Sequence, residues 1–198
     1  MRFLLLFFGS AFFVSTSYGQ TMLGMEAMPA LAFTKWTAST PKAYEGVYHF
    51  GESEAESDFA LVISGGIVTA QIRSGEWENK PERWRKVYQT LTNVRITGNK
   101  FYSKETAGDF VLFDSDGKKT FGLRIGKPWS GSVIKGQLEV GARTGPLADY
   151  YDGNYTQASY QLLKPADLIK YNKEQLTLMR NEVFARYGYA FSKNEKLR

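Results

Sequence analysis

The stretch Phe59-Ala-Leu-Val-Ile63-Ser-Gly65-Gly66-Ile67-Val-Thr-Ala-Gln-Ile72 indicates the fold class. Two short runs rich in β-branched and other apolar residues flank a pair of glycines. Glycine adopts the positive φ angles that a two-residue hairpin turn requires, so this pattern is typical of a β-hairpin. The stretch therefore predicts two neighbouring antiparallel strands.

The same strand-like pattern continues on both sides of this hairpin, from residue 42 to about residue 163. Short apolar runs recur at meander spacing and are separated by turn residues, as at Gly98-Asn99 and Asp114-Ser-Asp-Gly117. We count about eight to ten strands. The sequence therefore predicts a mainly β fold, an antiparallel meander barrel or sandwich over residues 42–163, followed by a small C-terminal helical module at 164–198.

The N-terminal residues have the pattern of a secretory signal peptide. Met1-Arg2 is a short positive region, and residues 3–14 are largely apolar. Residues 15–19 form a small-residue segment that suits cleavage by signal peptidase after Gly19. The apolar run is shorter than the roughly 20 residues that span a bilayer. We predict export to the periplasm or the cell exterior, without stable membrane insertion after cleavage. Residues 20–41 are interpreted as an extended leader, with some order around Trp36.

Composition excludes several kinds of catalytic and metal site. The chain has no cysteine and a single histidine, His49, so thiol catalysis, thiolate metal sites and multi-histidine zinc sites are impossible. No other catalytic pattern is present, and we predict a protein that is not an enzyme and has no cofactor. The net charge of +5 favours anionic partners. Nucleic acid is not an expected partner of an exported protein, so the predicted partner is a cell-wall polymer. The sequence leaves the oligomeric state open.

The residue pattern changes from strand-like to helical at Lys164-Pro165. A short helix over 165–171 is followed by Asn172, an expected N-cap that forms a capping box with Gln175. The next helix runs from Lys173 to about Tyr187 and ends at Gly188. Its apolar residues recur every three or four positions, which predicts one buried stripe with Arg180 inside it; the stripe comprises Leu176, Met179, Val183 and Tyr187.

The segment Arg180-Asn-Glu-Val-Phe184-Ala-Arg186-Tyr187-Gly188-Tyr189-Ala-Phe191 resembles the core motif of the YARHG domain. The resemblance implies an extracytoplasmic domain that binds peptidoglycan or another wall component. Phe184 stands where the motif has tyrosine, and Tyr187 stands where it has histidine, which removes any proton-transfer or metal role at that position. The family module continues past the equivalent of Arg198, so the resemblance implies an incomplete module here.

Two groups of side chains are candidate ligand contacts. On the helical module they are Arg180, Arg186, Tyr187 and Tyr189. Arg180 either packs its stem and reaches an internal partner or offers its guanidinium to a ligand carboxylate, and Glu182 and Arg186 have the spacing of an ion pair. In the β region, Trp77 and Trp84 flank a polar segment, which suits carbohydrate or peptide binding or, alternatively, the covering of a barrel end.

Three functions are compatible with these features. The first is a cell-envelope interaction protein that uses its C-terminal module. The second is a carrier of small apolar ligands with a cavity inside the β fold. The third, which the sequence favours least, is a glycan hydrolase that uses the carboxylates of residues 52–58; these residues are also read as a solvated loop between two strands.

Overall fold

The computed structural model describes residues 20–79, 82–115, 117–127, 129, 136–187, 189 and 191. The predicted signal peptide lies outside these residues, as do Gly188 and residues 192–198. Within the described part of the chain, none of the helices has the length and apolar character that crossing a bilayer requires.

Among the described residues, twelve strands form one sheet, and 46% of these residues lie in strands. The strands are β1 Thr21–Leu23, β2 Glu26–Met28, β3 Thr34–Lys35, β4 Gly46–Phe50, β5 Ser57–Ser64, β6 Ile67–Asn79, β7 Glu82–Thr90, β8 Arg95–Thr97, β9 Lys100–Tyr102, β10 Ala107–Ser115, β11 Lys118–Ile125 and β12 Leu138–Gly145. The helices are α1 Pro165–Leu168 and α2 Lys173–Arg186. The predicted mainly β class with a small C-terminal helical region is confirmed.

The main path through the sheet is β7-β6-β5-β4-β12-β11-β10-β9-β8, with antiparallel pairing throughout. The 59–72 hairpin is β5 and β6, joined at Gly65-Gly66. β7 and β8 are at opposite ends of the path and are not paired within the described residues, so the sheet is not closed. A meander or sandwich fits this arrangement, and a closed barrel is not confirmed.

The sheet curves so that strands far apart on its path face each other across an aromatic core. Phe59 of β5 lies against Phe101 of β9, with ring centroids 5.2 Å apart, and against Trp129 in a stacked contact at 5.6 Å. Phe110 of β10 stacks on Tyr44 at 4.0 Å. Because these rings fill the space between the facing strands, their burial is the main stabilising contribution to the β fold.

The segment 20–41 is part of this fold. β1 pairs in parallel with β12, β2 pairs with β1, and β3 pairs with β10. Trp36 is buried in the aromatic core, where its ring centroid lies 4.7 Å from that of Tyr44. The order expected around Trp36 is present, and the extended leader consists of strands of the sheet.

The outer face of β4–β7 carries the C-terminal segment. Val47, Ala60 and Val62 point outward from the sheet and pack against Leu147, Tyr150 and Tyr151 in a second apolar cluster. This contact covers the outer face with residues 146–160 and brings α2 to the same side of the molecule as the ends of β5, β6 and β7.

Candidate functional site

The side of α2 that faces the protein is polar at its centre. Its buried residues are Met179, Glu182 and Arg186. The Glu182 carboxylate accepts hydrogen bonds from the backbone N–H groups of Asn154 and Tyr155, both at 2.9 Å. Arg186 Nη2 lies 3.1 Å from Glu182 Oε2, and both side chains are less than a tenth exposed. The predicted ion pair is therefore confirmed, but it is buried.

Arg186 uses its guanidinium to hold the loop formed by residues 152–160. Its Nε donates to the Asp152 carbonyl at 2.9 Å, and its Nη1 donates to the Ser159 hydroxyl at 2.8 Å. Gly153 lies directly over the ion pair, because a Cβ there would be 2.6 Å from both Arg186 Nη2 and Glu182 Oε2. The loop therefore approaches α2 so closely that only glycine fits at position 153 without displacement.

Arg186, one of the predicted ligand contacts, is 5% exposed, and its donors bind the loop. The predicted buried stripe is wrong in part, because Arg180 and Tyr187 are exposed while Met179 is buried as expected. The reason is physical. The surface that meets α2 presents backbone N–H and C=O groups, and buried groups of this kind need polar partners, so Glu182 and Arg186 face inward.

The start of α2 has the predicted geometry. Asn172 Oδ1 accepts from the Gln175 backbone N–H at 2.9 Å, and Gln175 Oε1 accepts from the Asn172 N–H at 3.0 Å. This capping box satisfies donors that the first turn of a helix otherwise leaves unpaired. The direction of α2 is therefore fixed at its beginning by the cap and near its end by the Glu182–Arg186 pair.

Exposed aromatic rings lie at the C-terminal end of α2. Phe184, Tyr187 and Tyr189 are each about half exposed. The Phe184 and Tyr189 rings are 5.9 Å apart, and Tyr189 lies 4.8 Å from Phe191. One turn earlier, Arg180 is exposed and donates to the Asn181 side chain at 2.9 Å. Of the four candidates on this module, Arg180, Tyr187 and Tyr189 are thus accessible to a ligand.

Trp77 and Trp84 lie on the neighbouring strands β6 and β7, on either side of the polar segment 78–83. They are directly opposite each other in β6 and β7, with ring centroids 5.4 Å apart and exposed fractions of 55% and 42%. The opposite face of the same strands carries cross-strand ion pairs, in which Arg85 contacts Glu76 and Glu78. These pairs support the pairing of β6 with β7 beyond Ile72, where the predicted strand ends, because cross-strand side-chain contacts stabilise strand pairing.

Two charged side chains of the sheet, Arg73 and Lys86, join it to the loop at 150–152. Arg73 Nη1 donates to the Tyr150 carbonyl at 2.5 Å, and its Nη2 lies 2.6 Å from Asp58 Oδ2. Lys86 Nζ lies 2.6 Å from Asp152 Oδ2. Because Arg186 binds the Asp152 carbonyl, the outer face of β6–β7 and the end of α2 are connected through a single residue of the loop.

Asp58 also binds His49, whose side chain points to the outer face of β4. His49 Nδ1 lies 2.8 Å from Asp58 Oδ1, and this hydrogen bond raises the pKa of His49 although burial acts in the opposite direction. Burial tends to raise the pKa of Asp58, but the hydrogen bonds from His49 and Arg73 outweigh it and lower that pKa. The pair is therefore held as His⁺ and carboxylate over a wider pH range than isolated residues.

This pair makes stability depend on pH. The pKa of His49 in the folded protein lies above its ordinary value of 6.5, so the stability that protonation contributes is present below pH 6.5 and is lost as the pH rises through the folded-state pKa. We expect the free energy of unfolding to fall in urea titrations as the pH rises above 6.5, and the fall to be smaller in His49→Gln. Identical pH profiles for the two proteins would contradict this assignment.

The carboxylates of residues 52–58 do not share one strand face. Residues 53–55 form a single 3-10 turn between β4 and β5, and Asp58 is engaged by His49 and Arg73. The loop reading is thus confirmed for residues 52–56, whereas Asp58 lies in β5. Among the described residues, no group of three or more His, Asp or Glu side chains is arranged to hold a metal ion.

Glu182 and Gly153 are the residues of this region whose importance the sequence does not reveal. The Glu182–Arg186 spacing predicts a pair, yet the same spacing is common on exposed helix faces. Two features together indicate that Glu182 and Arg186 are buried. These are the charged residues on the side of α2 that faces residues 152–160 and the glycine at position 153.

Comparison with known proteins gives one match. No curated protein and no solved structure matches the chain significantly. Residues 152–198 match the model of the YARHG domain, and this range begins at the loop that Arg186 holds and includes α1 and α2. The predicted domain boundary at residue 163/164 stays a prediction. The C-terminal part of the chain is thus matched to the YARHG domain, as its motif predicted, and this domain supports an exported bacterial protein.

Proposed function

We propose that the protein is a non-enzymatic component of the bacterial cell envelope that binds a cell-wall polymer through the C-terminal end of α2. The exposed rings of Tyr187 and Tyr189 are the main contacts, with Arg180 beside them. The wall component that best suits these groups is peptidoglycan, which combines sugar rings with peptide carboxylates, in the periplasm or outside the cell.

The observation that carries this proposal is the exposure of several rings on a helix end that is otherwise firmly held. Phe184, Tyr187 and Tyr189 stay accessible while the neighbouring Glu182 and Arg186 are buried. Rings of this kind provide apolar area for a ligand at low entropic cost, and the fixed loop keeps them in place before binding. The positive net charge also favours an anionic polymer.

The test is co-sedimentation with purified peptidoglycan sacculi. We expect the double variant Tyr187→Ala/Tyr189→Ala to lose roughly tenfold or more in affinity, because exposed aromatic residues commonly dominate such interfaces. Tyr187→Phe/Tyr189→Phe keeps both rings and should retain most of the binding.

The control for general loss of apolar surface is Leu31→Ala, which removes an almost fully exposed side chain from a 3-10 turn near the N-terminus. It should sediment like the unmodified protein. Equal sedimentation of the Tyr187→Ala/Tyr189→Ala variant and the unmodified protein would overturn the assignment of the ligand to this end of α2.

A further inference from the structure

β6 and β7 continue beyond the sheet as a two-stranded ribbon. The pairing of β5 with β6 extends as far as Asp58 and Arg73, whereas β6 and β7 stay paired to Asn79 and Glu82. A two-stranded ribbon has no layer of its own to bury side chains against, and it is marginally stable alone. Two half-exposed tryptophans on such a ribbon are therefore a feature that folding itself does not require.

A small open cleft lies at the base of this ribbon, next to Trp84. Its volume is about 150 Å³, and it is lined by Glu56, Ser57, Asp58, Arg73, Ser74, Gly75, Trp84 and Lys86. The indole of Trp84 occupies the space beside Gly75 where a Cβ would lie, because a Cβ there would be 1.9 Å from indole Cζ2. Glycine at this position thus lets the indole form one wall of the cleft.

The charged groups of the cleft balance one another. Glu56 and Asp58 contribute two carboxylates, and Arg73 and Lys86 contribute two cations. Asp58 and Arg73 are held by their ion pair at 2.6 Å, and Arg73 is anchored further by the Tyr150 carbonyl. The cleft thus offers fixed donors and acceptors without a net charge, which favours a neutral ligand with several hydrogen-bonding groups.

A ligand that fits both the indole and this polar rim has an apolar face and hydroxyl groups around its edge. A pyranose ring has this composition, since its axial C–H groups form a face that stacks on an aromatic ring and its hydroxyl groups donate and accept in the plane. The size of the cleft suits one such ring and not a folded peptide. The Trp77 ring, 5.4 Å from that of Trp84, is a second exposed aromatic surface beside this wall of the cleft.

We propose that the cleft beside Trp84 binds a sugar residue of a neutral glycan chain, and that Trp77 contacts its neighbour. This site lies in β5–β7, outside the segment that matches the YARHG domain. It depends on the proposed function in one respect, the exposure of the protein to cell-wall glycan. It would allow the ribbon and the end of α2 to contact the glycan and the peptide parts of one polymer.

The experiment titrates the protein with a soluble β-1,4-linked N-acetylglucosamine hexamer and follows binding by calorimetry and tryptophan fluorescence. The unmodified protein should bind, and Trp84→Ala should lose about tenfold or more in affinity. Ile67→Ala, which removes an exposed apolar side chain from the other end of β6, should bind like the unmodified protein.

Gly75→Ala keeps both indoles but places a methyl group where the Trp84 ring lies, so it should weaken binding to a similar extent. Lys86→Met keeps the Trp77–Trp84 pair and removes one donor of the rim, and it provides a variant whose ribbon stays intact. A severalfold loss in Lys86→Met with an unchanged circular dichroism spectrum supports the site. Failure of the unmodified protein to bind the hexamer, or unchanged affinity in both Trp84→Ala and Gly75→Ala, overturns it.

The two proposals fail independently. Tyr187→Ala/Tyr189→Ala should bind the hexamer with unchanged affinity, because its changes lie at the end of α2. If that variant also keeps its binding to sacculi, only the proposal for α2 is overturned. Binding of a soluble wall peptide in competition with the hexamer would show that the cleft takes peptide, and it would overturn the glycan assignment.

Discussion

Arg186→Ala should lower the free energy of unfolding by about 3–5 kcal/mol, because it leaves the buried Glu182 carboxylate without its cation. The change also removes the donors to Asp152 and Ser159 that hold the loop over residues 152–160. The measurement is urea unfolding of the chain from residue 20, followed by circular dichroism. The loss should be visible first in the C-terminal segment, as faster proteolysis between residues 152 and 187.

Arg180→Ala is the matched control, since it removes the same side chain from an exposed position of the same helix. It should change the free energy of unfolding by no more than about 0.5 kcal/mol. Arg186→Met combined with Glu182→Gln should be more stable than Arg186→Met alone, because the glutamine keeps an acceptor for the loop without a buried charge. If Arg186→Ala and Arg180→Ala have equal stability, the ion pair does not have the structural role assigned to it.

Phe59→Ala should lower the free energy of unfolding by about 3–5 kcal/mol and create a cavity in the aromatic core. Phe59 is fully buried, and its ring contacts those of Phe101 and Trp129. Phe184→Ala, the same change at a half-exposed position, should cost no more than about 1 kcal/mol. Urea unfolding of the two variants measures the difference.

The same variant addresses the alternative of an apolar-ligand carrier. In the described residues the space between the facing strands is occupied by rings, so the unmodified protein should not bind small apolar probes such as benzene. Phe59→Ala should gain such binding if its cavity stays open. Tight binding of an apolar probe by the unmodified protein would favour the carrier function over the function proposed above.

Local patterns were sufficient to predict the parts of the fold that depend on nearby residues. The hairpin at residues 59–72 and the Asn172 cap are confirmed because their hydrogen bonds join residues close in sequence. The full length of β6 and β7 was not predicted. Residues 74–79 lack apolar alternation, and their strand pairing is supported by Glu–Arg contacts that exist only when the partner strand is in place.

The sequence predicted which residues belong to the candidate site, but it was less informative about which side of α2 faces the protein. The YARHG motif pointed to residues 180–191, yet which side of α2 is buried depends on residues 152–160, and these have no periodic pattern. Arg186 was therefore expected at the surface. In the structure its partners are instead the Asp152 carbonyl and the Ser159 hydroxyl. Trp77 and Trp84 were identified as candidates from their residue type and their position on either side of a polar segment, and their direct pairing across two strands was not predicted.

The position of β12 has a consequence for the order of folding. β12, at residues 138–145, lies between β4 and β11 in the sheet and also pairs with β1, so it joins segments about 100 residues apart in the chain. The hairpins β5–β6–β7 and β10–β11 can form early, but the N-terminal strands cannot find their places until β12 is available. During synthesis from the N-terminus, β1 and β4 therefore lack their β12 partner until about residue 145 has emerged.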